Sequence, residues 1–484
     1  MDQGKDATVT SLTGWAENSR TRPTKAGAIP EPALDAGAYV IRVVLVDSAP
    51  PIWREVELGS DLRLDRVHEI LQTAVGWTNS HLHKFIPDPA GSAGGVSLVT
   101  PFDVEEGETG VLESDVRLDQ LLRQVGDTLT YVYDFGDYWQ HTVTLQSIRP
   151  GSADVARVMG GERAAPPEDV GGISWYETLV QAAENPGSKE WSEYQDEIRL
   201  RGFDHLIGEF DLEEANAALV RDSGARAALT LFSSRPATGP AARVIQSILD
   251  RLSLEGQLLI GGYLSAAHIE QRHTRKEEEA EAATRVFRVL LDQVGEEGIT
   301  LTSAGYLPPA AVIGLMAVLD PERTWFGDSN REVNTQPLLA LREVSTQLGL
   351  TRIYKGRLLL TSRGKTLRHS PPQLWAHLAA SLPPERTDDD RDIAALALLL
   401  IGAGTTEPAQ FSRELDLLLA VAGWRFDGRG QYGNGDVFYR ARTTRNILRW
   451  AGTGELFNRD HRDETLALPA CRLLAAAALS TPAQ

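Results

Sequence analysis

Residues 131–141, Tyr-Val-Tyr-Asp-Phe-Gly-Asp-Tyr-Trp-Gln-His, constrain the fold more than any other stretch of this chain. Five aromatics, two aspartates, a glycine and a histidine take nine of its eleven positions. The residues around Tyr131–Tyr133 and His141–Leu145 have the alternation of strands. Between them, Asp134 and Asp137 flank Phe135-Gly136, which is turn chemistry, since an aspartate bonds backbone N–H groups just ahead of it. The spacing predicts a strand pair joined by a tight connection, and hence a sheet with large aromatic side chains on it.

The flanking sequence extends that sheet. Tyr39–Val46 is rich in β-branched residues and reads as a buried strand. Asp47-Ser-Ala-Pro-Pro51 turns the chain, and Ile52–Leu58 alternates as a second strand. Leu64, Val67, His68, Leu71 and Val75 fall at helical spacing, with Gly76 as the stop. His81–Phe85 alternates as a third strand, which places His81 and His83 on one face. A short helix, Leu118–Val125, precedes the strand pair. Residues 150–172 read as irregular, and helices follow from Trp175 to about Ala183 and through Leu212–Leu219. The order β-β-α-β-α-β-β predicts an α+β fold with a largely antiparallel sheet and packed helices.

Composition narrows the partners. The net charge is −19, and residues 38–215 carry all of it, with 13 Lys and Arg against 32 Asp and Glu. Such a domain repels phosphate backbones, and its acidity serves solubility or an acidic recognition face. A single cysteine, Cys471, excludes an intrachain disulfide and a thiolate zinc cage, and it reads as a small buried hydrophobe. The longest apolar run, Ile393–Ala403, is too short to span a bilayer. No secretory pattern opens the sequence, so no membrane partner and a cytoplasmic location are expected.

Residues 1–37 are expected as a disordered tail, 38–222 as the α+β domain and 223–240 as a linker of Ser, Arg, Pro, Gly and Ala. Residues 241–382 are expected as a helical domain, 383–392 as an exposed break, and 383–484 as a C-terminal helical segment with a Gly-rich loop at 427–435. Leu-Thr-Ser-x-Gly occurs twice, at Leu301–Gly305 and Leu360–Gly364, each read as a strand ending in an equivalent turn at Thr302 and Thr361. Helix Pro337–Leu348, then Ile353, a Lys355-Gly356 turn and Leu358–Leu360, follow a winged-helix-like order. Arg352, Lys355, Arg357, Arg363, Lys365 and Arg368 cluster there with no acid between them, so nucleic acid is a partner to test for this half.

Five blocks, in order, resemble one family. They are Pro50-Pro51-Ile52-Trp53-Arg54; Leu64…His68; Gly76-Trp77-x-x-Ser80-His81-Leu82-His83-x-Phe85; Tyr131-x-Tyr133-Asp134-Phe135-Gly136-Asp137-x-Trp139-x-His141; and Pro166-Pro167-Glu168-Asp169-x-Gly171-Gly172. Over about residues 38–215 the chain resembles the plasmid pRiA4b ORF-3-like family, whose relatives also travel as insertion-element passengers of TnpR type. The resemblance implies a compact α+β domain and no settled activity. No serine-recombinase signature accompanies it. Many relatives carry cysteines where this chain has Val158, Ala165 and Val170, so a thiolate site there is excluded.

The ligand-binding set to test is Trp53, Arg54, Trp77, His81, His83, Tyr133, Asp134, Asp137, Trp139, His141, Glu168 and Asp169. His81, His83, Asp134, Asp137 and His141 would suit a divalent transition metal. Against this stand turn-capping aspartates, core tryptophans, and a Glu168–Asp169 pair that caps the following segment. The chain lacks a nucleotide-binding glycine loop and a nucleophile elbow. The leading expectation is a non-enzymatic binding or adaptor protein for a protein or small ligand, with no cofactor. The alternative is a metal-dependent hydrolase built on the His/Asp cluster.

Overall fold

The structure, a computed structural model, describes residues 28–91, 93–151, 153, 155–200, 208–271, 273–325, 330–405, 407–424, 439–456 and 465–480. The chain divides into two compact units, 1–220 and 221–484. It is α+β: an antiparallel sheet with helices in the first unit, and a mainly helical second unit. Residues 1–27 of the expected tail and the Gly-rich loop 427–435 lie outside the described residues. The described part of that tail is anchored at Ile29 and Pro30. Ile29 packs on the first core, and the Pro30 carbonyl accepts from Gln120 Nε2 at 2.6 Å.

In the first unit, β1 (Gly37–Leu45), β2 (Trp53–Gly59), β3 (His83–Pro87), β6 (Thr128–Tyr133), β7 (Trp139–Pro150) and β8 (Arg157–Glu162) form one sheet in the order β3-β6-β7-β1-β2-β8. Every neighbouring pair is antiparallel. Two short strands, β4 (Leu98–Val99) and β5 (Val111–Leu112), pair beside it. The helices are α1 (Leu64–Val75), α2 (Pro101–Glu105), α3 (Leu118–Leu121), α4 (Ile173–Glu184) and α5 (Lys189–Leu200). Gly76 stops α1 in the left-handed region at φ 98, where only glycine goes without strain.

Register explains the sheet's aromatic face. His83, Tyr133 and Trp139 lie across one row, and Phe85, Tyr131, His141 and Leu45 across the next. Facing residues share a side, and so do residues two apart. A third row on the same face runs from Pro87 through Leu129, Val143, Val43 and Arg54 to Gly161. The core against this face includes Leu64, Val67, Ile70 and Leu71 of α1, with Trp139, Tyr131 and Tyr133 among its largest fully buried side chains. Packing on this scale, not hairpin propensity, holds the strand pair in register.

Three expectations for this unit change. The stretch 150–172 contains β8, whose Gly160-Gly161 resembles a loop in sequence. A Cβ on Gly161 would come within 2.6 Å of the Phe210 ring and 2.9 Å of Arg54 Cδ, so the position needs glycine for close packing. The helix expected at Leu118–Val125 ends at Leu121. The third strand begins at His83, so His81 precedes it in a bend rather than alternating on it.

Helix α6 (Leu212–Ser234) runs through most of the expected linker 223–240. Ala228 and Phe232 on it are buried in the second unit's core, and Arg226 pairs with Asp222 one turn earlier at 3.2 Å. Then follow α7 (Pro240–Leu249), α8 (Leu254–Ala266), α9 (Glu277–Val294), β9 (Ile299–Thr300), α10 (Pro309–Leu319), α11 (Gln336–Gln347), β10 (Thr351–Tyr354), β11 (Arg357–Leu360), α12 (Ser362–Leu367), α13 (Pro371–Ala380), α14 (Asp388–Ala403), α15 (Pro408–Val421), α16 (Arg442–Thr453) and α17 (Pro469–Leu479).

Residues 241–382 and 383–484 are not separate bodies. One core joins them, and α14 lies at its centre with every residue from Ile393 to Ile401 buried against α7, α8, α15 and α17. The expected break at 383–392 is the capped start of that helix. Thr387 Oγ1 accepts from the Asp390 N–H at 3.2 Å, and buried Glu385 takes the Thr444 N–H at 2.8 Å. Among the described residues no helix is long and apolar enough to cross a membrane. Cys471 is fully buried, and burial pushes its thiol up to about 12.

Both Leu-Thr-Ser-x-Gly copies do follow strand ends, and the strands, β9 and β11, pair antiparallel. Their turns are not equivalent. Thr361 caps α12 by accepting from the Gly364 N–H at 2.9 Å. Thr302 closes a loop, accepting from the Tyr306 N–H at 3.1 Å, with Gly305 at φ +83.

Candidate functional site

The signature residues separate into a buried polar network, a pair of clamped loops and a small open cluster. The network lies between α1 and the sheet. Gln72 Nε2 donates to the Tyr131 hydroxyl at 2.7 Å, and that hydroxyl lies 2.8 Å from His68 Nδ1. His68 Nε2 is 2.6 Å from Asn79 Oδ1. One proton arrangement satisfies all three contacts: Tyr131 donates to Nδ1 of a neutral His68, whose Nε2–H goes to Asn79. Burial first, and then the facing His83, lower the His68 pKa to about 3, against the upward pull of Asn79. The His68 and His83 rings stack at 3.4 Å, and His83 Nε2 lies 3.1 and 3.0 Å from the two oxygens of buried Glu113. His83 is thereby committed to Glu113.

The clamped loops are built on Glu168 and Asp137. Glu168 accepts from the Tyr133 hydroxyl at 2.5 Å, the Thr78 N–H at 3.0 Å, the Thr78 hydroxyl at 2.6 Å and the Ser80 hydroxyl at 3.2 Å. Burial pushes its carboxyl up, but these hydrogen bonds outweigh burial and hold it below its ordinary range. Asp137 Oδ2 accepts from the Gly171 N–H at 3.0 Å, and a Cβ on Gly172 would lie 2.9 Å from the Asp137 carbonyl. Asn79, Asp134, Tyr138 and Asp169 all sit at positive φ near 60°. Non-glycine residues are held there only where surrounding contacts over-determine the backbone.

Glu168→Gln will therefore destabilise the first unit by about 2 kcal/mol, since an amide nitrogen would face the Thr78 donors. Urea denaturation followed by tryptophan fluorescence measures this. An unchanged midpoint would show that Glu168 does not hold the loop.

These loops bring together His81, Asp134 and Asp169, whose ligand atoms all lie within 4.8 Å of one another. His81 Nε2 is 3.1 Å from Asp169 Oδ1 and 3.7 Å from Asp134 Oδ2. The nitrogen is buried and makes no hydrogen bond, because Asp169 lies off its hydrogen-bonding direction and Asp134 is too far away. Asp134 Oδ1 is occupied by the Gly136 N–H at 2.8 Å, which orients Oδ2 toward His81. The Asp169 side chain is 77% exposed, so the cluster opens to solvent.

The other sequence candidates lie elsewhere. Trp77 and Trp139 are core. Trp77 stacks on Tyr133 at 4.9 Å and donates to the Pro166 carbonyl at 2.8 Å. His141 is buried, with Nδ1 lacking a hydrogen bond, and burial lowers its pKa to about 4. Trp53 faces away from the aromatic rows, under the Arg42 guanidinium at 3.8 Å. Arg54 is buried and donates to the Ala74, Trp53 and Glu162 carbonyls at 3.2, 2.8 and 3.2 Å, and burial lowers its pKa to about 10. The cavity that Trp53, Arg54, Trp77 and His141 help to line measures about 10 Å³, far below the volume of a small-molecule site.

Residues 37–217 match the family described as plasmid pRiA4b ORF-3-like protein. The uncharacterised protein y4hQ of Sinorhizobium fredii is 33% identical over 163 residues, which are 33% of this chain and 79% of that protein. The chain belongs to the plasmid pRiA4b ORF-3-like family. A crystal structure of a protein of unknown function from Methanosarcina mazei Go1 aligns with 28% identity, covering 37% of this chain and 97% of that one, with a TM-score of 0.32.

Within this pRiA4b ORF-3-like unit, Val158 and Val170 are each 1% exposed and belong to the apolar core. Gln72, Asn79 and Glu113 are not legible as site residues, and His68 is legible as a helix core position and as part of the Leu64…His68 block, not as a site residue. A histidine on an apolar helical stripe has to find polar partners, and that was the available signal. Glu113 gave none, since it comes from an acidic stretch thirty residues after His83.

Proposed function

We propose that this chain is a binding protein whose pRiA4b ORF-3-like unit takes a divalent transition-metal ion between His81, Asp134 and Asp169. The observation that carries this reading is His81 Nε2, a buried nitrogen without a hydrogen bond that faces two carboxylates. Ligand bonds of about 2.0–2.2 Å imply tetrahedral edges of about 3.3–3.6 Å. The separations of 3.1 and 3.7 Å from His81 to the two aspartates bracket that edge. One neutral imidazole and two carboxylates balance a divalent charge, and the excess of acids in residues 38–215 favours cations around the unit. His83, Asp137 and His141, which the sequence also offered as ligands, are engaged or buried elsewhere.

Isothermal titration of the chelator-treated full chain with zinc tests this. One site is expected in the wild type. His81→Ala and Asp134→Asn are expected to weaken it at least tenfold, while His83→Ala leaves it intact. Equal binding by all four proteins would overturn the site.

A second reading, metal-dependent hydrolysis, is favoured by the exposed Asp169 side, which leaves coordination positions open as in catalytic zinc sites. Zinc-dependent turnover of a nitrophenyl ester or phosphate, lost in Asp134→Asn, would support it. Zinc binding without turnover leaves the binding reading. The link to mobile elements rests on the relatives' company alone.

A further inference from the structure

We propose that residues 277–360 form a winged-helix module that grips duplex nucleic acid through its hairpin tip, independently of sequence. The topology is the first support. Helix α9, strand β9, helices α10 and α11, then strands β10 and β11 follow one another, and the strands form a three-stranded antiparallel sheet in the order β10-β11-β9. Helix α9 packs on α10, α11 and β11. The β10–β11 turn is Lys355-Gly356, both at positive φ (47 and 71), the two-residue geometry that matches strand twist.

The side chains are the second support. Thr351, Leu358 and Leu360 anchor the hairpin in the core, while Arg352, Ile353, Tyr354, Lys355 and Arg357 are exposed. The Tyr354 ring has two cations close to it, with its centroid 5.5 Å from the Arg352 guanidinium carbon and 5.3 Å from Lys355 Nζ. A projecting aromatic flanked by cations suits a phosphate backbone and the groove beside it.

The structure also trims the six cations that the sequence presents. Lys365 and Arg368 are matched by Glu296 at 2.5 and 3.1 Å, and Arg357 bonds the Glu297 carbonyl. Arg352, Lys355 and Arg363 have no carboxylate partner among the described residues. Helix α11, which would be the groove-reading helix, exposes Gln336, Glu343 and Gln347, and its Arg342 is buried against Glu332 at 2.5 Å. It offers no exposed cation to a groove lined with phosphates. The contact is therefore assigned to the wing and is read as electrostatic.

Fluorescence anisotropy of the full chain against a labelled duplex tests this. About three phosphate contacts imply a slope of log affinity on log salt of about −2.7, or about a 40-fold loss between 50 and 200 mM salt. Arg352→Glu with Lys355→Glu is expected to abolish binding at 50 mM salt with the fold intact by circular dichroism. Lys365→Gln should weaken it less than threefold. Tyr354→Ala should weaken it more than Lys365→Gln. Absence of duplex binding at 50 mM salt, or binding that survives the double charge reversal, would overturn the proposal. So would equally tight, equally sensitive binding to polyglutamate, which would assign the wing to an acidic protein.

Discussion

Lowering the pH from 7 to 5 will remove about 4 kcal/mol of stability from the first unit through two histidines, well above the ordinary carboxylate range. His68 and His141 titrate at about 3 and about 4 in the folded chain, against an ordinary value of 6.5. The unfolded chain therefore binds more protons throughout that interval. The stabilisation is complete above about 6.5 and is lost as pH falls toward the folded values, at about 1.4 kcal/mol per pH unit for each histidine. The cause is first the desolvation of the charged ring: His68 is enclosed by the His83 ring, Tyr131 and Asn79, and His141 by Trp77 and Tyr131. Urea titrations at pH 7, 6 and 5, read by hydrogen exchange in β6 and β7, measure the slope. His141→Phe keeps an aromatic ring without the proton site and should roughly halve it. A slope unchanged by that substitution would remove His141 from the account.

Gly364→Ala is expected to destabilise the second unit by about 3 kcal/mol, although alanine in a helix ordinarily stabilises by up to about 1 kcal/mol relative to glycine. Gly364 lies in α12, where an added Cβ would sit 2.0 Å from the Leu350 carbonyl oxygen. Relief means moving α12 off Leu350, which breaks the Thr361 N–H bond to the Leu350 carbonyl at 3.1 Å and the Thr361 hydroxyl bond to Gly349 at 2.6 Å. The matching glycine of the other copy, Gly305, has open space around it but a φ of +83. Gly305→Ala should cost only the left-handed strain of about 1–2 kcal/mol. Thermal denaturation of both variants separates the two causes. Gly364→Ala matching the wild type in stability would refute the close approach.

Much of the first unit was legible because periodicity two is a strong signal when one face is buried. The β2, β6 and β7 strands follow from it, while β1 follows from its run of β-branched residues and α1 from helical spacing that ends at Gly76. The strand β8 was hidden because Gly160-Gly161 reads as loop until Phe210 and Arg54 are seen to occupy the missing side chains' space. Helix α6 was hidden because Ser, Gly and Ala in 223–234 suggest a linker, whereas the buried Ala228 and Phe232 come from tertiary packing. At the site, sequence placed His81 and His83 together by strand alternation. The bend before β3 separates their roles, sending His83 to Glu113 and His81 to Asp134 and Asp169. No local pattern encodes which carboxylate a histidine meets across thirty to ninety residues.

The central position of α14 carries a consequence for synthesis. Its apolar stretch, Ile393–Ile401, packs against α17, which begins at Pro469. Roughly 70 residues separate the two, so at about 5–20 residues per second the ribosome takes about 4–14 s to supply the covering helix. For that interval the nascent chain holds its longest apolar run without its full cover. The exposure of this run to premature aggregation and to chaperone capture thus comes late in translation, and is set by the order in which its helices emerge.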